Sequence, residues 1–252
     1  MRTAWKETVM CNAVENYRKM VDEPWGRMFY DQIFGQLIIP EDRRAKILDF
    51  GAGFCLTADH YAKHHDVIAV EPNKEIHERR VRDHDYLFVG QGAEYLRSLE
   101  DNGMDVVICH NVLEYADNKE EILGQLFRIL KPGGIFSIVK HNLCGRVLGA
   151  AVLQDDPKAA LELLCSGDSE NSMFGKRDVY DIDFLTGYFS GRMILTDIFG
   201  IRTFFGLSSN SAIKYTDEWY ESMLELETRA STVDEFRRVA FFNHLLFQKI
   251  EP

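Results

Sequence analysis

The chain has 252 residues, enough for one large α/β domain or one domain with an insertion, and enough to bury a core without disulfide or metal staples. Hydrophobic residues make up 46% and charged residues 27%; 29 lysines and arginines stand against 40 acids, a net charge of −11. Such acidity excludes retention of nucleic acid by bulk electrostatics, though not a local basic pocket, and no apolar run approaches the ~18 residues of a membrane span.

In chain order, Met1–Leu37 reads as helical: Trp5, Val9, Ala13, Tyr17 and Val21 recur every four residues as an apolar stripe. Pro24 breaks that stripe, and a second helix is expected from about Gly26. Lys46–Phe50 (KILDF) is a predicted strand running into glycines, followed by a helix over Leu56–His64. Val67–Val70 is an apolar strand closed by Glu71-Pro72-Asn73, then a charged helix over Lys74–Arg82 and a strand at Tyr86–Val89. Asp105–Cys109 reads as a buried strand. Lys119–Leu130 is an amphipathic helix closed by Lys131-Pro132-Gly133-Gly134, and Ile135–Val139 is another strand. Leu143–Cys165 looks helical, Gly191–Phe205 could hold a strand, Thr216–Thr228 is an amphipathic helix, and Arg238–Ile250 contains a final strand. In the Thr216–Thr228 helix, Trp219, Met223 and Leu226 fall at helical spacing, so that face should be covered.

Strand and helix alternating in short units predict an α/β fold with a doubly wound, Rossmann-like, mostly parallel sheet, whose ligands sit at the carboxyl ends of the strands. The expected organisation is N-terminal helices over residues 1–45, a nucleotide-binding core over 46–142, and substrate-side helices with the final strands, the last antiparallel, over 143–252. The five cysteines (Cys11, Cys55, Cys109, Cys144 and Cys165) are widely spaced and form no Cys-x-x-Cys pair. With a charged segment at Met1–Val21, they point to a reduced, cytoplasmic setting without metal.

The chemistry begins at Asp49-Phe50-Gly51-Ala52-Gly53. A strand that turns sharply into a helix needs glycine, which also lets a ligand approach the backbone closely. Glu71 ends the next strand, 20 residues after Gly51, where an acid can accept both ribose hydroxyls of an adenosine. A dinucleotide fingerprint would place a third glycine at position 56, where this chain has Leu56. Asp49 would repel a pyrophosphate but suits the ammonium of a methionine moiety. Both details favour S-adenosylmethionine over a nicotinamide dinucleotide.

LDFGAGF, VIAVEPN, CHNVLEY and ILKPGGIFSIVKHN, taken as a set over Lys46–Asn142, resemble the successive motifs of the class I S-adenosylmethionine-dependent methyltransferases. The resemblance implies that Asp49, Gly51 and Gly53 line the methionine part of the cofactor and that Glu71 binds its ribose. It implies that Gly92-Ala93-Glu94 edges the adenine, and that His110, Asn111 and Leu113 lie near the sulfonium. Cys55 stands where the family's third glycine falls, which puts the loop geometry in question. Arg27 is a candidate partner for the cofactor carboxylate, or a surface helix arginine.

A narrower resemblance rests on Asn142, Gly145, the LELETR segment from Leu224 and the final strand. It is to the bacterial tRNA carboxymethoxyuridine methyltransferases, which methylate the carboxylate of a modified wobble uridine. It implies an anionic acceptor. Lys140, His141 and Arg146, with no acid among them, are then candidates for its recognition alongside His110. A small-molecule metabolite methylated on a carboxylate, amine or hydroxyl (a small anionic metabolite among them), or a non-catalytic cofactor-binding role, fits the residues as an alternative.

Overall fold

The computed structural model describes residues 14–166, 171–172, 175–176 and 179–251. Trp5, Val9 and Ala13 of the expected N-terminal stripe lie outside these residues. Helix α1 covers residues 14–22 and buries Val14 and Val21. Helix α2, Pro24–Gln36, starts on the proline itself. Proline suits a first helical turn, because the N–H it lacks would have no partner there.

Among the described residues nine strands follow in chain order: β1 Lys46–Phe50, β2 Asp66–Val70, β3 Leu87–Val89, β4 Met104–His110, β5 Leu130–His141, β6 Asn171–Ser172, β7 Gly175–Lys176, β8 Met193–Ile201 and β9 Phe242–Lys249. Strands β6 and β7 make a small antiparallel hairpin. The other seven form one sheet in the order β3-β2-β1-β4-β5-β9-β8, with parallel pairing from β3 through β5. Strand β9 runs against both neighbours. Its far end meets the start of β5, Gln248 Nε2 donating to Gly133 O at 3.1 Å, and the start of β8, Ile250 N–H donating to Arg192 O at 3.0 Å. Helices α3 (Leu56–Ala62), α4 (Lys74–Glu78) and α5 (Lys119–Ile129) connect the parallel strands. This is the expected doubly wound arrangement, mostly parallel with an antiparallel last strand.

Three boundaries differ from expectation for physical reasons. Helix α4 stops at Glu78 rather than Arg82: Arg79 leaves the helical region at φ −107°, and Val81 N–H turns to donate to Phe54 O at 2.8 Å. The Asp59 carboxylate then pins the chain by accepting from the Asp83 and His84 amides at 2.7 and 2.9 Å. The Lys-Pro-Gly-Gly stretch is a bulge within β5, so that Met104 faces Leu130 while Val106 faces Ile135. The Leu143–Cys165 helix is broken into α6 (Leu143–Leu148), a π-helical turn at Gly149–Leu153 and α7 (Pro157–Ser166).

The chain forms two compact units, each assembled from three segments. The first comprises Met1–Gln36, His141–Val179 and Phe199–Asn243; the second comprises Leu37–Lys140, Tyr180–Ile198 and His244–Pro252. The second holds most of the sheet and a core of Leu48, Val107, Leu126, Phe136, Leu245 and Phe247, with helix α8 (Ile182–Tyr188) contributing Leu185. Lys249 closes this unit. Its ammonium donates to Phe127 O at 2.9 Å, Leu130 O at 2.6 Å and Asn102 Oδ1 at 2.9 Å, so it caps the carbonyl end of α5.

In the first unit, helix α9 (Asp217–Ala230) packs Tyr220, Trp219, Met223 and Leu224 with Met28, Trp25 and Phe205. Leu226, expected on the covered face, is 45% exposed. The inward position is Glu227, buried because its carboxylate accepts the amides of Thr203, Phe204 and Phe205 at 2.7–2.8 Å. Arg202 is buried in the same unit, 4.4 Å from the Trp25 ring centroid and 5.5 Å from that of Phe205. Burial draws its guanidinium down to about 9, with the charge of Glu227 opposing. Helix α10 (Asp234–Arg237) precedes β9. Gly145 lets α6 touch the chain before β9, since a Cβ there would stand 2.2 Å from Ala240 O; the Asn142 amide donates to Arg238 O and Ala240 O at 2.9 and 2.8 Å. Among the described residues no helix is long and apolar enough to cross a membrane.

Candidate active site

The carboxyl ends of β1, β2 and β4 converge in the second unit. After β1 the chain turns through Gly51 at φ +75° and Gly53 at φ +53°, both in the left-handed region. The amides of Gly51 and Ala52 donate to Val70 O at 2.9 and 3.0 Å, which ties the turn to the end of β2. A Cβ on Gly51 would stand 2.3 Å from Val112, so nothing larger fits against the segment after β4. A Cβ on Gly53 would meet nothing within 4 Å, leaving open space at the turn.

Cys55 answers the question its identity raised. It adopts φ 60°, ψ 25° immediately before α3, so a side chain occupies a backbone conformation that suits glycine. For an ordinary L-residue this costs about 1–2 kcal/mol. The sulfur is buried, and desolvation with the neighbouring Asp49 charge pushes the thiol up to about 12, which leaves it inert.

Asp49, on β1, is 3% exposed, and its Oδ2 has no hydrogen-bond partner. Desolvation raises its carboxyl to about 7; the Ala58 amide opposes this and the Glu71 charge adds to it. Glu71 follows β2 and is 8% exposed. One of its oxygens accepts Gly53 N–H at 3.0 Å and the other accepts Asn73 N–H at 2.8 Å. Burial pushes this carboxyl up against the pull of those two amides. Each oxygen still has a lone pair free to accept a second donor. Gly92-Ala93-Glu94 leads into a short 3-10 turn at Ala93–Ser98, where the exposed Glu94 carboxylate takes the Gly92 amide at 2.9 Å.

At the end of β4, Asn111 takes φ +54° and donates its amide to Val139 O at 2.8 Å, while its Oδ1 is buried without a partner. Leu113 is fully buried behind it. His110 Nε2 lies 2.8 Å from Ser137 Oγ, and Ser137 Oγ lies 2.8 Å from His244 Nε2. His110 Nδ1 is shielded from solvent and has no hydrogen-bond partner. Burial, with His244 nearby, holds the His110 imidazole well below the usual histidine range, and burial takes His244 down to about 3, so both rings are neutral at pH 7.

Seven of the candidate residues thus stand on three adjacent strand ends or the turns that leave them: Asp49, Gly51, Gly53, Glu71, His110, Asn111 and Leu113. Lys140 belongs to the same unit, buried near the end of β5 with its ammonium 5.5 Å from the Tyr180 ring centroid. Arg27, His141 and Arg146 belong to the first unit. There Arg27 lies 3.7 Å from the Asp31 carboxylate and 4.0 Å from the Tyr220 ring centroid. The His141 ring meets Phe242 edge-on at 4.9 Å, and Arg146 stands on α6. Sequence reasoning missed Ser137 and His244. The available signal was Ser137 inside the otherwise apolar IFSIV, and His244 beside Asn243 in the strand FNHLLF.

Residues 48–138 match the family described as "Methyltransferase domain". Over 106 residues the chain is 30% identical to human thiol S-methyltransferase TMT1A, covering 39% of this chain and 43% of that protein. Over 114 residues it is 25% identical to the tRNA 5-carboxymethoxyuridine methyltransferase of Escherichia coli K12, covering 42% of this chain and 44% of that one. The matched stretch is thus less than half the length of these curated relatives. Among solved structures, an S-adenosylmethionine-dependent methyltransferase of Thermotoga maritima superposes with a TM-score of 0.62 at 13% identity, over 96% of this chain and 98% of its own. A methyltransferase solved in complex with the Haloferax volcanii Trm112 activator gives 0.60 at 16% identity, over 95% and 94%. These two likenesses show the fold.

Proposed function

We propose, for a chain that belongs to the class I S-adenosylmethionine-dependent methyltransferases, that the acceptor is a small molecule whose nucleophilic atom carries a proton, with a thiol as the leading class. The observation that carries this reading is His110: a neutral imidazole at the end of β4, with Nδ1 lacking any partner. A thiol, hydroxyl or amine must lose a proton when it is methylated, and a carboxylate has none to lose. The acidity of the chain and its 30% identity to a thiol S-methyltransferase support the same reading.

Bound S-adenosylmethionine supplies the methyl group on a sulfonium, already activated, so the protein's part is to orient the partners and exclude water. In this reading Glu71 accepts the ribose hydroxyls with the lone pairs its two amide contacts leave over. Asp49 and Asn111 offer their unpartnered oxygens to the positively charged methionine end. Gly51 and Gly53 give that end room beside the backbone, Gly92-Ala93-Glu94 edges the adenine, and Leu113 backs the methyl-bearing sulfur. The unsatisfied buried oxygens at Asp49 and Asn111 are the features that a cationic ligand would complete.

A second reading has its own support. Lys140 is a buried ammonium near the end of β5, and the Escherichia coli relative acts on tRNA. In that reading Lys140 would meet a carboxylate, including that of a modified wobble uridine. Incubation with methyl-labelled S-adenosylmethionine decides between them: label in small thiols and none in unmethylated tRNA is the expected result. Label in tRNA alone, with binding that weakens steeply in salt, would replace the first reading by the second.

A further inference from the structure

We infer that Ser137 and His244 form a tautomer lock that presents His110 Nδ1 to the acceptor as a lone pair rather than as an N–H. The inference rests on the protic-acceptor reading for its purpose, but its geometry is independent of it. Ile108 on β4 pairs with Ser137 on β5, and His110 lies two residues on, so Ser137 and His110 project from the same face of the sheet. His244 on β9 reaches Ser137 from the other side. The result is a line of three side chains, His110–Ser137–His244, joined by two contacts of 2.8 Å.

A serine hydroxyl has one proton, and each contact needs one. One histidine must therefore donate to Ser137 Oγ, and the other must accept from it. Two arrangements are open. If His244 donated, Ser137 would donate to His110 Nε2, and neutral His110 would carry its proton on Nδ1. That N–H would be buried without an acceptor, at the cost of an unmade hydrogen bond. If His110 donates through Nε2–H, Ser137 passes its proton toward His244 Nε2, and Nδ1 is a lone pair. The second arrangement leaves a lone pair at Nδ1 instead of an N–H, and that lone pair is what a donor on the acceptor molecule would satisfy.

The chemical consequence follows from that lone pair. Nδ1 is closed to water in the ligand-free structure; in this scheme acceptor binding uncovers it, and the acceptor's X–H hydrogen-bonds to Nδ1, which aims a lone pair of the nucleophile along the line of transfer. As the bond from X to the methyl carbon forms, the bond from that carbon to the sulfonium breaks, and the sulfur leaves as a neutral thioether. The proton of X passes to Nδ1, and His110 leaves the step as an imidazolium whose Nε2–H is still held by Ser137. Methylation acidifies X–H sharply, so a weakly basic imidazole is adequate to take the proton. The imidazolium returns its proton to solvent when the product departs. His110 is the catalytic residue in this scheme; Ser137 and His244 are positioning residues.

The test reads the tautomer directly. Nitrogen-15 spectra of the ligand-free protein at pH 7 should show His110 protonated on Nε2 and bare on Nδ1. Ser137→Ala should release His110 into a mixture of tautomers and lower kcat with the small protic acceptor about 10-fold or more, while KM for S-adenosylmethionine stays within twofold. Ser137→Thr keeps the hydroxyl and should restore both the single tautomer and most of kcat. His244→Gln, whose amide oxygen can accept from Ser137, should preserve the tautomer, whereas His244→Leu should lose it. A proton on His110 Nδ1 in the parent protein, or a tautomer unchanged by Ser137→Ala, overturns the lock whatever the acceptor is. The expected spectra with label found only in tRNA would instead keep the lock and remove the protic acceptor.

Discussion

Asp49 allows a thermodynamic test of the cofactor site that needs no acceptor at all. Its carboxyl is buried, one oxygen lacks a partner, and desolvation lifts it from 3.8 to about 7. At pH 6 it is therefore about nine-tenths protonated in the free protein. A cofactor bearing both an ammonium and a sulfonium favours the ionised form, so binding should expel that proton. If the carboxyl returns to its ordinary value in the complex, the difference is about three pH units, or at most about 4 kcal/mol of linked free energy. Affinity for S-adenosylmethionine should then rise close to tenfold per pH unit up to about 7 and level off above it. Calorimetry at pH 6 in two buffers of different ionisation enthalpy should count about 0.9 protons released from Asp49. Asp49→Asn should remove that release. The free protein moves in the opposite direction. A carboxyl raised on folding lends relative stability that is complete below 3.8 and lost as pH rises through about 7, so its Tm should fall across that window. Equal apparent enthalpies in both buffers at pH 6 would refute the reasoning and take Asp49 out of the site.

Glu71→Ala should weaken S-adenosylmethionine by roughly 1.5–3 kcal/mol per lost ribose contact. It should also lower the stability of the free fold by about 1–3 kcal/mol, because it orphans the Gly53 and Asn73 amides; calorimetry and denaturant titration separate the two, and unchanged affinity would leave Glu71 a purely structural acid. Cys55→Gly should alter stability by no more than about 1 kcal/mol, since relief of the left-handed conformation offsets the lost side chain and added chain entropy. Cys55→Val, with a β-branched side chain at φ 60°, should cost several times as much, and equal midpoints for the two variants would contradict the conformation described. Glu227→Ala should destabilise by about 3 kcal/mol or more, because three consecutive amides lose one acceptor; a loss under about 1 kcal/mol would mean that water replaces the carboxylate freely.

Much of this was legible because the parallel sheet repeats a simple grammar. Lys46–Phe50 runs into Gly51 and Gly53 and Asp66–Val70 runs into Glu71, and in each case the candidate site residues stand where the apolar run stops. Long-range demands were not legible. Nothing in the Thr216–Thr228 pattern shows that Glu227 must face inward, because its three amide donors lie more than twenty residues earlier in a loop with no periodicity. Helix α8, seven residues long, is too short to establish a period. The alignment of Ser137 with His244 depends on β9 entering the sheet beside β5 rather than at its edge, a choice that local composition does not encode.

That insertion bears on how the protein can be made. Strand β8 has β9 as its single neighbour in the sheet, so when β8 leaves the ribosome the strand it pairs with has not yet been synthesised. The carbonyl end of α5 waits as well, for the ammonium of Lys249. A nascent chain can assemble β1 through β5 as they emerge, but it must hold β8 without a partner for the forty residues between Ile201 and Phe242. An unpaired strand with apolar residues is a template for misassociation. Translation arrested anywhere in that interval should yield a product that chaperones retain, and release should coincide with the emergence of β9.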